Sequence, residues 1–381
     1  MKGFVNKLKT VKWKHYVNYI VIGIFTLIFG ALSIIGAIPA STQYLLEKMA
    51  IAILLAVSLS LVVGFLGELS LGHAGFMCVG AYIGGKIAAV LAAGALGNGI
   101  LTLIISLVVG GACAAVCGFI IGLPALRLKG DYLAIVTLAF GEIVKTIFMN
   151  TSDESFGGAL GLRTPRYNKS YLFIIGFVIV LFALFIIQNI IRSKHGRAIT
   201  AIRDNEIAAR ATGINVTKYK LMGFIVSAIF AGFAGVLYSY NISTVSSATF
   251  DYNYSIEILV MVVLGGMGNI NGSIIAAALI TFLNTKLATV LTGDLAVLQD
   301  LLYALILILI VIYNNAPALK SFREKYNIRN LLAKLKKADP AKDGGDANRW
   351  DVVPTKIEMN EVLSTDFVVS DSYIKGEKEE K

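Results

Sequence analysis

The sequence is poor in the residues that enzymes and metal proteins use for chemistry. Its 381 residues include 3 histidines and 3 cysteines, and only 15% are charged. Cys78, Cys113 and Cys117 all lie in apolar stretches, with no CxxC motif and no neighbouring histidine. This pattern indicates buried small residues and argues against a disulfide or a metal site. The chain also lacks a catalytic constellation and a GxxxxGKS/T loop, so we expect no catalytic residue, no metal ligand and no bound ATP.

What the sequence has in abundance is apolar residues. Hydrophobic residues make up 56% of the chain, and the mean hydropathy is +0.74. Such a composition is typical of a multi-pass membrane protein, and spans in lipid must satisfy their backbone groups internally as helices. The net charge of +10 does not indicate nucleic-acid binding, because Lys and Arg collect beside apolar runs. We therefore predict an all-α, polytopic integral membrane protein.

The apolar runs predict about ten membrane-entering helices. They are residues 16–38, 44–66, 69–91, 99–123, 132–149, 171–191 and 221–240, two segments within 255–290, and 295–313. As one helix, residues 255–290 would be about 50 Å long, far more than the bilayer core. The stretch GGMGNINGS in their middle predicts a break, and therefore a hairpin whose first arm is short or re-entrant.

The charge distribution predicts three regions. Residues 1–15 form a basic arm, residues 16–314 form the transmembrane domain, and residues 315–381 form a charged, largely disordered tail. Basic residues flanking spans favour the cytoplasm, which places both termini there.

One polar segment, residues 192–220, has its own helix signals. Asp204 or Asn205 can cap a helix, and Glu206 and Arg210 can pair one turn apart. Gly213 is a typical residue just past a helix end. The helix between carries small side chains that would let another protein approach its backbone, namely Ala208, Ala209 and Ala211. The alternative is an ordinary basic loop that obeys the positive-inside rule.

Four stretches carry a resemblance to a known family. They read GRAITAIRDNEIAARATGIN from 196, GELSLGHAGF from 67, LRLKGDYLAIVTLAFGEI from 126 and EILVMVVLGGMG from 257. Together they resemble the permease subunits of branched-chain amino acid ABC importers, most closely the M type, over roughly residues 47–313. The resemblance departs at Asn269, at Asn271 and in the loop at 157–162, which leaves the exact ligand open.

The resemblance implies an ABC importer permease fold with a cytoplasmic coupling helix, in the inner or plasma membrane of a bacterial cell. It also implies a second homologous permease subunit, two cytoplasmic ATP-binding subunits that hold ATP and Mg, and an extracytoplasmic substrate-binding protein. The cargo would be Leu, Ile or Val. The implied ATPase-coupling residues are Arg203, Asp204, Glu206, Ala208, Ala209 and Gly213. For the translocation path we predict Ser70, Gly72, His73, Gly265, Gly266 and Gly268, because a glycine-broken helix exposes backbone groups to a zwitterion.

Several alternatives remain at this stage. Each glycine could serve close helix packing, and His73 could have a packing or helix-end role. Charged residues near the spans are also functional candidates, namely Glu68, Glu142, Lys145 and Glu257. Glu142 and Lys145 could instead neutralise each other. For the whole chain, the alternatives are a urea or short-amide ABC permease, an ion-driven secondary transporter and a structural scaffold.

Overall fold

The computed structural model describes residues 17–290, except 95, 96, 98, 129 and 168, together with residues 304, 305 and 308. Within that part of the chain the protein is a bundle of helices with one short pair of strands. The predicted arm at 1–15 and tail at 315–381 lie outside the described residues, and so does nearly all of the predicted span at 295–313.

The helices, in chain order, are α1 (Val17–Ile34), α2 (Ala40–Ser60), α3 (His73–Val79), α4 (Gly85–Ala93), α5 (Ile100–Ala125), α6 (Asp131–Met149), α7 (Asp153–Phe156), α8 (Lys169–Arg192), α9 (Lys194–Asp204), α10 (Glu206–Ala211), α11 (Val216–Asn241), α12 (Tyr252–Gly265) and α13 (Ile270–Val290). A π-helical turn at Leu61–Leu66 extends α2, and another at Gly80–Gly84 joins α3 to α4. The strands β1 (Leu162–Arg163) and β2 (Thr244–Val245) pair antiparallel, with Leu162 opposite Val245.

The predicted all-α membrane class is confirmed, but the predicted count of about ten differs from the number of spanning-length helices in the described part of the chain, which leaves out nearly all of residues 295–313. Among the described residues, 7 helices are long and apolar enough to cross a membrane, and α1 and α12 are shorter apolar helices. The shortness of α12 accounts for part of the difference, because its 14 residues reach only about 21 Å. Residues 73–93 form one candidate span in spite of the π-helical turn within it.

The centre of the bundle is built from α2 and α11. In the span formed by α2 and its π-helical turn, 89% of the most apolar stretch is buried, against 28% in α13. Helix α11 packs on α2, α3 and α5. One close approach joins Gly80 to Gly232, where a β-carbon on Gly80 would overlap the carbonyl of Gly232. Small residues thus allow these apolar helices to pack backbone against backbone.

The region 255–290 is a hairpin, as its glycine-rich centre predicts. Helix α12 ends at Gly265 and α13 begins at Ile270. Gly266 and Gly268 between them have φ of 91° and 80°, a conformation that side chains with a β-carbon rarely adopt. Asn269 then accepts a hydrogen bond from the Gly272 amide at 3.3 Å, which caps the start of α13. The polar Asn269 is therefore part of the turn that reverses the chain.

Candidate functional site

The polar segment between α8 and α11 folds into two capped helices, α9 and α10. Ser193 Oγ accepts hydrogen bonds from the amides of His195 and Gly196 at the start of α9. Asn205, not Asp204, caps α10 by accepting from the Ala208 amide at 3.0 Å. These side chains satisfy amides that have no partner within the helix, so short helices become stable in a polar segment.

The surface of α10 is exposed on one side and buried on the other. Ile207 is 79% exposed, and Ala208 and Ala211 are exposed beside it. Ala209 points inward, only 4% exposed, and packs with Ile202 and Val216. The expected bare surface therefore does not include Ala209, because the helix turns that side chain toward α9 and α11.

The two ends of α10 are held by charge and by backbone conformation. The predicted pair forms, with Arg210 Nη2 at 2.9 Å from Glu206 Oε1. Gly213 has φ of 82° just beyond the helix end, as a glycine stop signal predicts. At the end of α9, Asp204 Oδ1 accepts from Arg203 Nη2 at 2.9 Å. Asp204 and Glu206 thus each form an ion pair within the segment.

A buried lysine joins this segment to the bundle. Lys220, whose side chain is only 4% exposed, donates to Glu68 Oε1 and, at 3.1 Å, to Glu206 Oε2. Glu68 follows the π-helical turn of α2, whereas Glu206 opens α10 and Lys220 lies in the second turn of α11. One ammonium therefore connects three elements. A charge buried at a membrane protein's core needs such partners, because it is costly when unpaired.

A second connection runs from Arg203 to the end of α2. Arg203 Nη1 donates to the Gly64 carbonyl at 3.1 Å. The last carbonyls of a helix have no intrahelical partner, and a cation there also favours the helix dipole. Gly67 with φ of 77° leaves room for the arginine stem, since a β-carbon there would lie 2.6 Å from Arg203 Cγ.

The glycine break lies against the same carbonyl. A β-carbon on Gly268 would lie 3.4 Å from Gly64 O and 3.5 Å from Arg203 Nη1, whereas one on Gly64 would lie 2.6 Å from the Gly268 amide. A cavity of about 440 Å³ opens at this junction and is lined by Val63, Gly64, Gly67, Glu68, Leu69, Arg203 and Met267. The structure therefore brings Arg203 and Gly268, predicted for different roles, to one place.

The other predicted path residues lie in close contacts between elements of the bundle. A β-carbon on Gly72 would lie 2.6 Å from the Thr137 carbonyl oxygen, and one on Gly265 would overlap the backbone of α13. His73 is 1% exposed, and its Nε2 lies 3.0 Å from Ser227 Oγ. Ser70 is fully buried and, like Gly72 and His73, does not line the cavity at Gly64. Gly266 and Gly268 supply the turn itself.

Three residues of this site have roles that sequence reasoning missed. Ile207 is an exposed aliphatic side chain beside the alanines, and a plot of the helix surface could have found it. Lys220 is a charge directly before an apolar run, and the sequence around it shows no partner for that charge. Gly64 looks like any small residue of a span. Its role depends on Arg203, 139 positions later in the chain.

The charged residues of the described part of the chain do not form a metal site. Among the described residues, no group of three or more His, Cys, Asp and Glu side chains could hold a metal ion. Glu142 and Lys145 pair at 2.8 Å, as their spacing predicts. Cys78 is buried, whereas Cys113 and Cys117 are half-buried.

Apolar helices of spanning length around a buried core, with a structured polar segment at one end, define a multi-pass membrane protein. Residues 41–311 match the family model of the branched-chain amino acid transport system permease component. The chain belongs to that family.

The relatives that the chain matches are transport permeases. It is 33% identical over 319 residues to the high-affinity branched-chain amino acid transport system permease protein LivM of Escherichia coli K12, covering 76% of this chain and 72% of the relative. It is 36% identical over 261 residues to LivM of Salmonella typhimurium, covering 60% of each. The ribose import permease protein RbsC of Escherichia coli K12 is 27% identical over 234 residues, covering 57% of this chain and 70% of the relative. No solved structure matches the chain.

Proposed function

We propose that this chain is the permease subunit of an ABC importer that passes Leu, Ile or Val across the plasma membrane of a bacterial cell. Its partners are a second homologous permease subunit, two cytoplasmic ATP-binding subunits and an extracytoplasmic substrate-binding protein. ATP and Mg belong to the ATP-binding subunits, and this chain is not itself an enzyme. Support comes from the family match and from relatives named as branched-chain amino acid permeases.

In this proposal residues 16–314 form the permease domain, and the arm at 1–15 and the tail at 315–381 are cytoplasmic. The basic residues of both ends support that orientation. The segment α9–α10 then faces the cytoplasm as well, because six crossings separate it from the first residues when α1 is counted with the five spanning-length helices before α9.

The observation that carries the proposal is the exposed apolar face of α10. Exposed apolar side chains on a helix are favourable when a partner covers them, and Ile207 with Ala208 would fill a groove of an ATP-binding subunit. The caps, the Glu206–Arg210 pair and Lys220 fix this helix in one orientation. A helix held in this way transmits displacement instead of absorbing it.

The route of that displacement follows the two charged connections. When ATP closes the motor, α9 and α10 move, and Arg203 pulls on the Gly64 carbonyl at the end of α2. Gly268 lies beside the same carbonyl, so the glycine break between α12 and α13 moves with it. A few turn residues with positive φ can take up such a change, as hinge residues do.

The first experiment is uptake into vesicles that hold this chain with the subunits encoded beside it. Labelled leucine, urea and ribose are offered outside with the binding protein, with and without ATP inside. We expect leucine uptake that requires ATP. Uptake of urea or ribose in place of leucine would change the substrate that we assign. Uptake at the same rate with and without ATP would overturn the ABC proposal.

The coupling face is tested by Ile207→Arg and Ala208→Arg. A charged side chain in an apolar groove should cost about 1.5 to 3 kcal/mol of docking energy, or roughly tenfold to a hundredfold in affinity for the ATP-binding subunit. The measurement is co-purification of the ATP-binding subunit with the tagged permease, followed by leucine uptake.

Leu160→Arg is the matched control for Ile207→Arg. Leu160 has the same exposed fraction, 79%, and lies beside β1 at the other end of the bundle. It should leave co-purification unchanged. If Ile207→Arg also leaves it unchanged, α10 is not the docking surface.

A further inference from the structure

A second cavity lies at the end of α2 that is far from the coupling segment. It has a volume of about 480 Å³, and its walls come from α2, α11, α12 and α13. Tyr44 and Lys48 from the first turns of α2 line it, about 25 to 30 Å along the helix from Gly64. The volume falls within the range of roughly 300 to 1,000 Å³ that is usual for small-molecule sites.

Among the described residues, the cavity is lined by one cation and one anion, which come from different helices. Lys48 on α2 and Glu257 on α12 are both half-buried. Lys48 Nζ lies 4.8 Å from the centre of the Tyr44 ring, and Glu257 Oε1 accepts from Asn284 Nδ2 at 3.3 Å. Charged side chains within a membrane bundle are costly, and they commonly mark substrate pathways. A carboxylate has several acceptor positions, so Glu257 can keep Asn284 and still bind an ammonium group.

A buried hydroxyl in the same wall has no hydrogen-bond partner among the described residues. Thr281 is 8% exposed, and within the described part of the chain its Oγ1 makes no hydrogen bond. An unsatisfied polar atom in an apolar environment costs about 1 to 3 kcal/mol. Thr281 lines the cavity together with the two charges, so a polar ligand there would satisfy it.

Part of the cavity wall is aliphatic. Ile51 and Met261, each 4% exposed, line the cavity together with Ala52. An apolar surface beside a pair of charges is complementary to a molecule with both kinds of group. A neutral, fully polar solute such as urea or a sugar has neither a charge to pair with these side chains nor an aliphatic group to bury against this surface.

We propose that this cavity binds an aliphatic α-amino acid as a zwitterion. Glu257 holds the ammonium group, Lys48 and the Thr281 hydroxyl hold the carboxylate, and Ile51, Ala52 and Met261 hold the side chain. The inference rests on the proposed transport of branched-chain amino acids and supplies a binding site for them in the permease. This site is separate from the predicted path residues, which lie at the glycine break and at the start of α3.

Direct binding tests this site. The purified complex of permease and ATP-binding subunits is placed in lipid nanodiscs without the binding protein, and labelled L-leucine is titrated. Glu257→Gln and Lys48→Gln should each weaken binding by about tenfold to a hundredfold, the loss of one charge-assisted hydrogen bond. Lys286→Gln, an exposed lysine of α13 outside the cavity, and Glu154→Gln, an exposed glutamate of α7, should bind as the wild type does.

Two analogues assign the charges. 4-Methylpentanoate lacks the ammonium group and isoamylamine lacks the carboxylate. Glu257→Gln should reduce the wild-type preference for leucine over 4-methylpentanoate, and Lys48→Gln should reduce the preference over isoamylamine. Binding constants that fall equally for all three compounds would overturn the assignment.

Thr281→Val tests the same site if Glu257→Gln or Lys48→Gln does not assemble with the ATP-binding subunits. Valine has the same shape, and replacing an unsatisfied buried hydroxyl with an apolar group does not destabilise the fold. We expect severalfold weaker leucine binding or, where direct binding is too weak to measure, a severalfold higher leucine KM for uptake at equal assembly. Wild-type behaviour of Thr281→Val and of the charge variants would overturn the site. Absence of ATP-dependent leucine uptake by the wild-type importer would instead overturn the proposed function.

Discussion

Lys220→Met is expected to destabilise the protein by about 3 kcal/mol and to abolish ATP-dependent uptake. Removing one member of a buried charge cluster typically costs about 3 to 5 kcal/mol, because the remaining charges lose their partner. Here the methionine would leave Glu68 and Glu206 facing each other with side-chain exposures of 12% and 23%. That partial exposure moves the expected cost to the lower end of the range, since water screens both carboxylates.

Thermal unfolding measures the loss of stability. Cys78 is fully buried in α3, so a thiol-reactive dye reports its exposure as the bundle opens. Lys218→Met is the control, since Lys218 is an exposed lysine two positions earlier in the same helix. The triple variant Glu68→Gln, Lys220→Met and Glu206→Gln removes every charge of the cluster and should recover much of the Tm. It should not recover uptake, because α10 would no longer be tied to α2.

Equal Tm values for Lys220→Met and Lys218→Met would show that the cluster does not hold the segment in place. If Lys220→Met were less stable but still took up leucine at the normal rate, the cluster would be structural only. Displacement would then pass through Arg203 and Gly64 alone.

The parts of this fold that local sequence determines were predictable. A cap, a stop glycine and an i, i+4 ion pair each depend on neighbours within a few positions, so Asn205, Gly213 and the Glu206–Arg210 pair could be placed from the sequence. The hairpin was predictable for a similar reason, because bilayer thickness limits helix length and the glycines mark the break.

The side-chain contacts between segments that are distant in the sequence were not predictable. Lys220 and Glu68 are 152 positions apart, and nothing in either local pattern indicates the other. The same holds for Glu257, which was singled out as a charge near a span. The residues around Glu257 are known only from the fold, in which Lys48 of α2 and Thr281 of α13 line the same cavity. Helix packing also decided the inward direction of Ala209 and the close contact at Gly72, where side-chain periodicity alone leaves both faces open.

Gly272→Ala is expected to have the largest effect of any single added methyl group in the hairpin. Gly265 ends α12 and Gly272 lies in the first turn of α13, and their backbones touch. A β-carbon on Gly272 would overlap the Gly265 carbonyl oxygen and lie 3.0 Å from Asn269 Nδ2. Backbone cannot rotate away as a side chain does, so the two helices must separate. Overpacking typically costs about 1 to 3 kcal/mol, and we expect a loss at or above the upper value.

Gly223→Ala separates this effect from the general effect of adding a methyl group to a helix. A β-carbon on Gly223 would meet only Leu66 Cδ2, at 4.0 Å, an ordinary contact. Alanine also favours a helix over glycine by about 1 kcal/mol, so Gly223→Ala should keep or raise the Tm while Gly272→Ala lowers it. Separation of α12 from α13 would move Glu257 away from Asn284 and withdraw Gly268 from Gly64, so leucine binding and uptake should fall together. A Gly272→Ala protein with the Tm and the uptake of Gly223→Ala would mean that the two helices do not meet at these glycines, and that the break is not a fixed hinge.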